Sequence, residues 1–263
     1  GTMAGKSNGV MPHSAPSGSR RSSQRTPRLT STDAPRSKFC RLSAYSTTAD
    51  IGTLDFARVD QVNGPVAVEG AEPGGTLQIE LLDFQSADWG WTASIPGFGL
   101  LADEFPDPYY KVTALPAGAD RVEYWPGIRV PLAPFCGEVG VAPKEGPLST
   151  IPPDLHGGNM DTRHLVAGTT LYLPVFVAGA NLSMGDGHAT QGDGEVCGTA
   201  IETPMRATVR VTARNDLHVT GPEFEAAPDP WADQRQERRN ATAGIGPDVM
   251  TAARDATRRM IEW

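Results

Sequence analysis

The apolar residues of this chain occur in short runs that glycine and proline interrupt every few residues. Thr76–Leu82, Ile128–Leu132, Thr170–Val177 and Ala207–Ala213 have the length and composition of strands, and the last alternates apolar with polar residues. With 29 Gly and 23 Pro among 263 residues, the sequence favours many short strands joined by turns over a helix bundle. We therefore predict a mainly β fold, a β-sandwich or a distorted barrel of short strands.

Two further elements are predicted from local sequence. Pro65–Gly70 and Thr76–Leu82 flank the turn-forming residues Glu72–Gly75, which predicts a strand–turn–strand unit. Near the C-terminus, Pro247 and Asp248 are typical of the start of a helix. A C-terminal helix is predicted there, because the following residues give an apolar stripe at helical spacing: Val249, Ala252, Ala253, Ala256, Met260 and Ile261.

Composition divides the chain into two parts. Residues 1–45 are rich in Ser, Arg and Pro and hold eight Lys or Arg against one Asp, so we expect a disordered basic tail. Residues 46–263 hold 15 basic and 30 acidic side chains and form the expected β domain. Its acidity disfavours nucleic acid as a partner, because the phosphate backbone is also anionic. No apolar run approaches the ~20 residues of a membrane span, so no membrane partner is expected.

Cysteine usage indicates a reducing compartment. The chain has three cysteines, Cys40, Cys136 and Cys197, an odd number without a C-x-x-C pair. That pattern is typical of reduced thiols in a cytoplasmic protein and not of a disulfide scaffold.

Polar residues that can carry chemistry are concentrated in two glycine-rich blocks. The blocks are His156–His164, with the sequence HGGNMDTRH, and Gly185–Gly198, with the sequence GDGHATQGDGEVCG. A divalent metal held by His and carboxylates can activate water and polarise a carbonyl group, and a free carboxylate nearby can carry a proton. Gly-Asp-Gly sequences also form ordinary turns or calcium-binding loops. Spacing alone leaves open a metal or catalytic site, simple turns and a structural calcium site.

Longer stretches around these blocks narrow the alternatives. HGGNMD, LPVFVAGANLSMGDGHATQGDGEVCGTAIE and the earlier GPVAVEGAEPGG closely resemble the bacterial acetamidase/formamidase family, and the resemblance covers about Ser46 to Trp263. The continuation GTAIETPM is closer to the acetamidase branch. The resemblance implies a mostly β fold, a cytoplasmic homo-oligomer, and hydrolysis of a short aliphatic amide to a carboxylate and ammonia. It also implies a divalent metal, with zinc as the first choice and calcium as the alternative.

The resemblance also implies roles for individual residues. Asp161, Asp186 and His188 are the expected metal ligands, and Glu195 is the expected general base or acid. These are N and O donors of the kind that zinc sites use. The hydrolysis of an amide needs such a proton carrier as well, because the departing amine must be protonated.

Four more residues complete the expected site. Asn159 and Gln191 are expected to orient the amide substrate. His156 and His164 are expected to contact the metal ligands without binding the metal themselves. For each of the two histidines, a structural hydrogen-bonding role stays open as the alternative. Asp193 is expected to belong to a turn.

The cysteines and a group of aromatic residues have two interpretations each. Cys197 and Cys136 lie in apolar contexts and are expected to be structural thiols, with a thiolate nucleophile as the alternative. A cluster of aromatic residues fits either core packing or a wall that keeps the acyl pocket small; its members are Trp89, Trp91, Phe98 and Phe105.

The chain departs from the family pattern in three places. Family members usually open with a structured segment in which Trp closely follows His, and residues 1–45 contain no such pair. Gly75 stands where the family usually has Asp. The chain stops at Trp263 inside the predicted helix, so we expect the domain to be incomplete at its C-terminus. These departures keep an alternative open, a catalytically inactive amidase-like β domain that binds a small ligand.

Overall fold

The computed structural model describes residues 28–30, 51, 60–228 and 237–262, and of residues 28–30 only the backbone. Its strands are, in chain order, β1 (Arg28–Thr30), β2 (Val62–Val66), β3 (Thr76–Ser86), β4 (Trp89–Ser94), β5 (Tyr109–Ala114), β6 (Arg121–Trp125), β7 (Ile128–Pro131), β8 (Phe135–Gly140), β9 (Gly157–Asn159), β10 (Thr170–Pro174), β11 (Leu182–Thr190), β12 (Ile201–Glu202), β13 (Met205–Arg214), β14 (Glu223–Ala226) and β15 (Arg239–Thr242). A helix, α1 (Val249–Glu262), follows β15.

The strands form two large antiparallel sheets and a hairpin. The first sheet has the order β1-β13-β3-β10-β14-β15. The second has the order β5-β4-β12-β11-β8-β9, with β2 also paired to β11. Strands β6 and β7 pair with each other. The candidate site described below is built around β8 and β11 in the second sheet.

The main hydrophobic core receives side chains from both sheets. On β3, Leu77, Ile79 and Leu81 are at most 1% exposed, whereas the intervening Gln78 and Glu80 are partly exposed. Each such buried side chain stabilises the fold by about 1.5–3 kcal/mol. Residues of the second sheet that join the same core include Phe135, Val139 and Leu182. The mainly β prediction is confirmed in its sandwich form, because both sheets have free ends in the described part of the chain and do not close into a barrel.

The four strands predicted from apolar runs are confirmed as β3, β7, β10 and β13, with ends shifted by a few residues. The strand–turn–strand prediction is wrong. Strand β2 ends at Val66 and pairs with β11 in the second sheet, whereas β3 pairs with β10 and β13 in the first. The turn itself is present, since the amide of Gly75 donates to the carbonyl of Glu72 (3.0 Å). It therefore joins two sheets instead of two neighbouring strands.

The predicted C-terminal helix is confirmed as α1, but its apolar stripe does not face the domain. Val249 and Ile261 are 87% and 80% exposed. The buried residue of the helix is Arg259, whose Nε donates to Asp255 Oδ2 (3.0 Å). Its guanidinium packs against Gly221, where a Cβ would collide with it. A long charged side chain can fill such a space when its head is paired.

Apart from β1, the predicted basic tail of residues 1–45 lies outside the described residues, and its disorder stays a prediction. The division into residues 1–45 and 46–263 is likewise still a prediction. Among the described residues, no helix combines the length and the apolar character that a membrane crossing requires.

Candidate active site and metal centre

Strand β11 directs two functional side chains to one point. Asp186 and His188 are two residues apart, so they lie on the same face of the strand. Strand β8 runs antiparallel beside them with Glu138 opposite Gly185, which brings Gly137 opposite Asp186. The two strands therefore bring Asp186 and His188 against a residue that has no side chain.

Asp161 reaches this point from the segment after β9. Its backbone amide donates to the carbonyl of Gly137 (3.2 Å), which holds the segment against β8. Its own carbonyl accepts a hydrogen bond from Nε2 of Gln191 (2.5 Å). Because Gln191 directly follows β11, this bond ties the two glycine-rich blocks of the sequence together.

Gln191 also determines how the imidazole of His188 presents its nitrogens. Since Nε2 of Gln191 donates to Asp161, its Oε1 is the atom that faces Nδ1 of His188, at 2.9 Å. Nδ1 must then carry the hydrogen. When His188 is neutral, its Nε2 therefore presents a lone pair, as in a histidine that binds a metal.

Three carboxylates surround that nitrogen. Nε2 of His188 lies 2.8 Å from Asp186 Oδ2, 3.3 Å from Glu202 Oε2 and 3.9 Å from Glu195 Oε1. Nε2 is buried, yet no acceptor is aligned with it as a hydrogen-bond partner. Oδ1 of Asp161 is also buried without a hydrogen-bond partner. Buried polar atoms are normally paired, so this cluster of unpaired donor atoms fits a cation ligand set.

Gly137 leaves open the space between these donors. A Cβ at this position would collide with the carboxylates of Asp161 and Asp186, and would lie 2.8 Å from Cε1 of His188. The donor atoms of Asp161, Asp186 and His188 lie within 4.8 Å of one another, and so do those of His188, Glu195 and Glu202. The described side chains therefore fit a divalent metal: N and O donors converge on a space that a side chain would fill.

Of the six residues other than glycine that have a positive φ in the described part of the chain, four are acidic residues at or beside this cluster. The φ angles of Asp60, Asp161, Asp186 and Glu195 are 53°, 42°, 53° and 41°, in the left-handed region that residues other than glycine seldom adopt. Such a conformation costs about 1–3 kcal/mol per residue and is common at functional sites. The surrounding structure holds these four acidic residues in conformations that they would not adopt on their own.

Burial and mutual repulsion govern the charges of the cluster. Burial, then the charge of Asp161, raises the pKa of Glu195 to about 9. Burial also raises the pKa of Asp161 to about 6 and that of Glu202 to about 7. Burial alone would raise the pKa of Asp186 as well, but His188 outweighs it and lowers that pKa. The raised pKa values show that these carboxyl groups repel one another when ionised, and a bound cation would favour their ionised forms.

A second group of acidic residues lies next to the cluster. Glu138 is fully buried, and neither of its carboxylate oxygens has a hydrogen-bond partner. Burial, then Asp186, raises the pKa of Glu138 to about 10. Burial and Asp186 also raise the pKa of Asp60 to about 7. These two carboxyl groups place further titratable groups beside the site, and the raised pKa of Glu138 means that it is uncharged near neutral pH.

The other predicted site residues lie around this centre. Asn159 pairs with Glu138 in the β8–β9 register, and its Nδ2 donates to the carbonyl of Ile151 (3.1 Å). His156 is buried, which lowers its pKa, and its charged neighbour is Asp154. The ring of His164 stacks on Phe224 of the first sheet, with ring centroids 6.5 Å apart. Packing of this kind is compatible with the structural alternative for His164.

The remaining candidates occupy different environments. Asp193 is exposed and forms an ion pair with Arg163 (2.7 Å), as a turn residue can. Burial raises the pKa of the Cys136 thiol to about 12, which disfavours a thiolate. Sγ of Cys197 is 3.4 Å from the carbonyl oxygen of Thr199, a contact that fits a structural thiol.

A cavity of about 670 Å³ opens beside the cluster, and Glu195 and Gln191 belong to its wall. The aromatic residues named from the sequence are divided between two places. Phe98 and Phe105 line the cavity, whereas Trp91 is buried in a small separate core and Trp89 packs against that core. The core-packing interpretation thus holds for the two tryptophans, and the pocket-wall interpretation for the two phenylalanines. The cavity, however, is much larger than an acetyl group requires.

Several residues of this site were missed from the sequence. Glu202 lies in the stretch GTAIETPM, where the sequence predicts no site residue, and its side chain comes within 3.3 Å of His188. Gly137 and Glu138 follow Cys136 in a run for which the sequence predicts only a structural thiol. A buried glutamate inside an otherwise apolar strand was the available signal, because charged residues are seldom fully buried without a partner.

The known proteins that are similar to this chain include acetamidases and formamidases. The sequence profile described as the Acetamidase/Formamidase family matches residues 39–149 and 144–262. The formamidase of Methylophilus methylotrophus is 28% identical, over 68% of this chain and 58% of its own. The acetamidase of Mycolicibacterium smegmatis is 29% identical, over 58% of this chain and 53% of its own. This chain therefore spans little more than half the length of the curated relatives it matches.

A solved structure is also similar. The crystal structure of a predicted acetamidase/formamidase from Thermoanaerobacter tengcongensis superposes with a TM-score of 0.72 at 32% sequence identity. The match covers 80% of this chain and 66% of the other. The residues matched by the family profile include both glycine-rich blocks that build the site.

Proposed function

The chain belongs to the acetamidase/formamidase family, and from that premise we propose that it hydrolyses short aliphatic amides, acetamide and formamide among them, to a carboxylate and ammonia. The observation that carries the proposal is the convergence of Asp161, Asp186 and His188 on the space left by Gly137, next to a cavity that Glu195 shares. A metal-activated water is part of the proposal.

Asp161, Asp186 and His188 would hold the divalent metal, with Glu202 as a further oxygen donor. Zinc is the first choice because a neutral imidazole and carboxylates suit it, and calcium is the alternative because oxygen donors predominate. Bound there, such an ion lowers the pKa of a water molecule and polarises a carbonyl group. The orphaned Nε2 of His188 and Oδ1 of Asp161 are the atoms that support this assignment.

Glu195 would move the protons of the reaction. Its carboxyl group lies 3.9 Å from His188 Nε2, faces the cavity and has a pKa raised to about 9 by burial and by Asp161. Without a cation Glu195 therefore keeps its proton, whereas the positive charge of a bound ion would favour the carboxylate, which can take a proton from water. It can then protonate the departing nitrogen, so that ammonia leaves instead of an amide anion. The proton that Glu195 takes from water is thus the one that it gives to the departing nitrogen, so a single residue can serve as both general base and general acid.

Gln191 and Asn159 would have different tasks from the one expected from the sequence. Both ends of the Gln191 amide are engaged, with His188 and with the carbonyl of Asp161, so we assign it the positioning of two metal ligands. Oδ1 of Asn159 is buried without a hydrogen-bond partner and can accept from an amide N–H of the substrate. Contact of Asn159 with the substrate therefore stays within the proposal.

Two other functions compete with this one. The first is a catalytically inactive relative that binds a small ligand, favoured by the departures from the family pattern in residues 1–45 and at Gly75. The second is a cysteine amidase, which the raised pKa of Cys136 and the carbonyl contact of Cys197 disfavour. A cytoplasmic homo-oligomer is the assembly that the family relationship suggests, and light scattering on the purified chain would test its oligomeric part.

The deciding experiment is ammonia release from acetamide and formamide, with and without a strong chelator, together with the metal content of the protein. We expect release that the chelator abolishes and added Zn²⁺ restores. Ammonia release that is unaffected by chelators but is abolished by thiol alkylation would favour the cysteine mechanism. Folded, metal-loaded protein that releases no ammonia would favour the inactive alternative.

A further inference from the structure

The cavity beside the metal centre is far larger than acetamide or formamide can fill. Its volume of about 670 Å³ lies in the range of pockets that hold drug-sized molecules, about 300–1,000 Å³. Its wall is predominantly apolar. Glu195 forms part of that wall, so the cavity is continuous with the reacting end of the site.

The threonines of the cavity wall differ in how their hydroxyl groups are paired. The hydroxyl groups of Thr92 and Thr199, which also line the cavity, already donate to backbone carbonyls at 2.8 and 3.0 Å. Oγ1 of Thr190 is buried and has no hydrogen-bond partner, and Thr190 directly precedes Gln191. A substrate therefore finds Glu195 at the reacting end of the cavity and mainly apolar contacts along the rest of its wall.

The apolar wall is fixed to the loop that carries Glu195. The amide of Leu100 donates to the carbonyl of Val196 (2.8 Å), and the ring of Phe98 packs on Gly198 so closely that a Cβ there would collide with it. Further apolar and aromatic side chains of the wall are Leu101, Phe105, Tyr109 and Ile201. Several of these are more than a third exposed, as side chains that await a ligand would be.

We infer that this cavity binds the acyl group of the substrate, and that the chain prefers carboxamides with a long apolar or aromatic acyl group over acetamide and formamide. The inference rests on the proposed function, because it assigns a substrate class to the same site. In such a complex the amide meets Glu195, and the acyl chain lies against Phe98 and Phe105. The reaction is the same hydrolysis, in which water cleaves the C–N bond and ammonia departs.

The test compares acetamide, butyramide and hexanamide by ammonia release and by calorimetric binding. Each buried methylene should raise kcat/KM by about fourfold, so hexanamide should exceed acetamide by about 200-fold. A kcat/KM that falls from acetamide to hexanamide, with acetamide turned over, would overturn the inference and leave the proposed function standing. No turnover of any of the three amides would overturn both.

A variant that fills the cavity tests whether the cavity is the reason for the preference for long amides. Ala102 lines the cavity, so Ala102→Phe should lower the ratio of kcat/KM for hexanamide to kcat/KM for acetamide at least tenfold. Ala117→Phe, on an exposed turn outside the cavity, is the matched control. Phe105→Ala removes a wall residue that is 62% exposed and so should not disturb folding; it should lower hexanamide turnover about tenfold. Equal effects on hexanamide and acetamide in both cavity variants would contradict the assignment.

Discussion

Nε2 of His188 and Oδ2 of Asp186 lie 2.8 Å apart on strand β11, but they are not aligned as a hydrogen bond. Their separation follows from their positions two residues apart on one strand, and Gln191 fixes the imidazole from its other nitrogen. Two donor atoms held together in this way would supply half of the proposed ligand set before any ion binds, which would reduce the entropy that binding must overcome.

Replacing His188 removes the nitrogen donor. We expect His188→Ala to lose tight Zn²⁺ binding and to lower kcat/KM for amide hydrolysis by at least about 100-fold, because loss even of outer partners of a metal costs about 10–100-fold. Metal content and ammonia release measure the two effects. His218→Ala is the control, since His218 is exposed and contacts a backbone carbonyl. Full turnover by His188→Ala would remove His188 from the site.

Adding one methyl group at Gly137 should have a similar result without removing any ligand. In Gly137→Ala the new Cβ collides with the carboxylates of Asp161 and Asp186, so we expect at least about tenfold weaker metal binding by calorimetry. Gly192→Ala, where a Cβ meets no atom within 4 Å, should keep the metal affinity of the parent. Unchanged affinity in Gly137→Ala would show that the ion binds elsewhere.

The sequence indicated some site residues and missed others for a physical reason. Asp161 and His188 lie in blocks whose density of polar residues and glycine is visible along the chain, and Gln191 joins those blocks in space. Glu202 and Glu138 reach the same point only because β12 and β8 both pair with β11. Strand pairing over such distances depends on register and on the sheet order, which no local pattern of residues contains.

The same limit explains the errors in the fold. Alternating apolar residues predicted strands such as β13 because burial of one face has period two. A turn sequence specifies a reversal at Glu72–Gly75 but not the sheet to which the next strand belongs, so β2 and β3 were wrongly joined. For α1, the apolar stripe correctly predicted a helix, but periodicity does not specify what the stripe contacts: Val249 and Ile261 are exposed and Arg259 is buried.

Removing the acid–base group should separate catalysis from metal binding. We expect Glu195→Gln to lower kcat by about 10²–10⁴-fold, because an amide side chain cannot transfer the proton, while metal content stays that of the parent. Asp193→Asn is a close control: Asp193 is exposed, and its surface ion pair with Arg163 contributes at most about 1 kcal/mol. Equal losses in the two variants, or loss of the metal in Glu195→Gln, would contradict the assigned role.

Glu138 should make the metal-free protein less stable as the pH rises. Its pKa is raised from 4.5 to about 10, so between these values the native state keeps a proton that the unfolded state releases, and the free energy of unfolding falls with pH. At pH 7 the cost is about 3 kcal/mol, which Glu138→Gln should recover. Urea unfolding with chelator at pH 5 and pH 8 should show a smaller pH dependence in Glu138→Gln than in the parent, and no such change in the exposed control Glu69→Gln. A parent protein whose metal-free stability rises from pH 5 to pH 8 as steeply as that of Glu138→Gln would mean that this carboxyl is ionised in the native state.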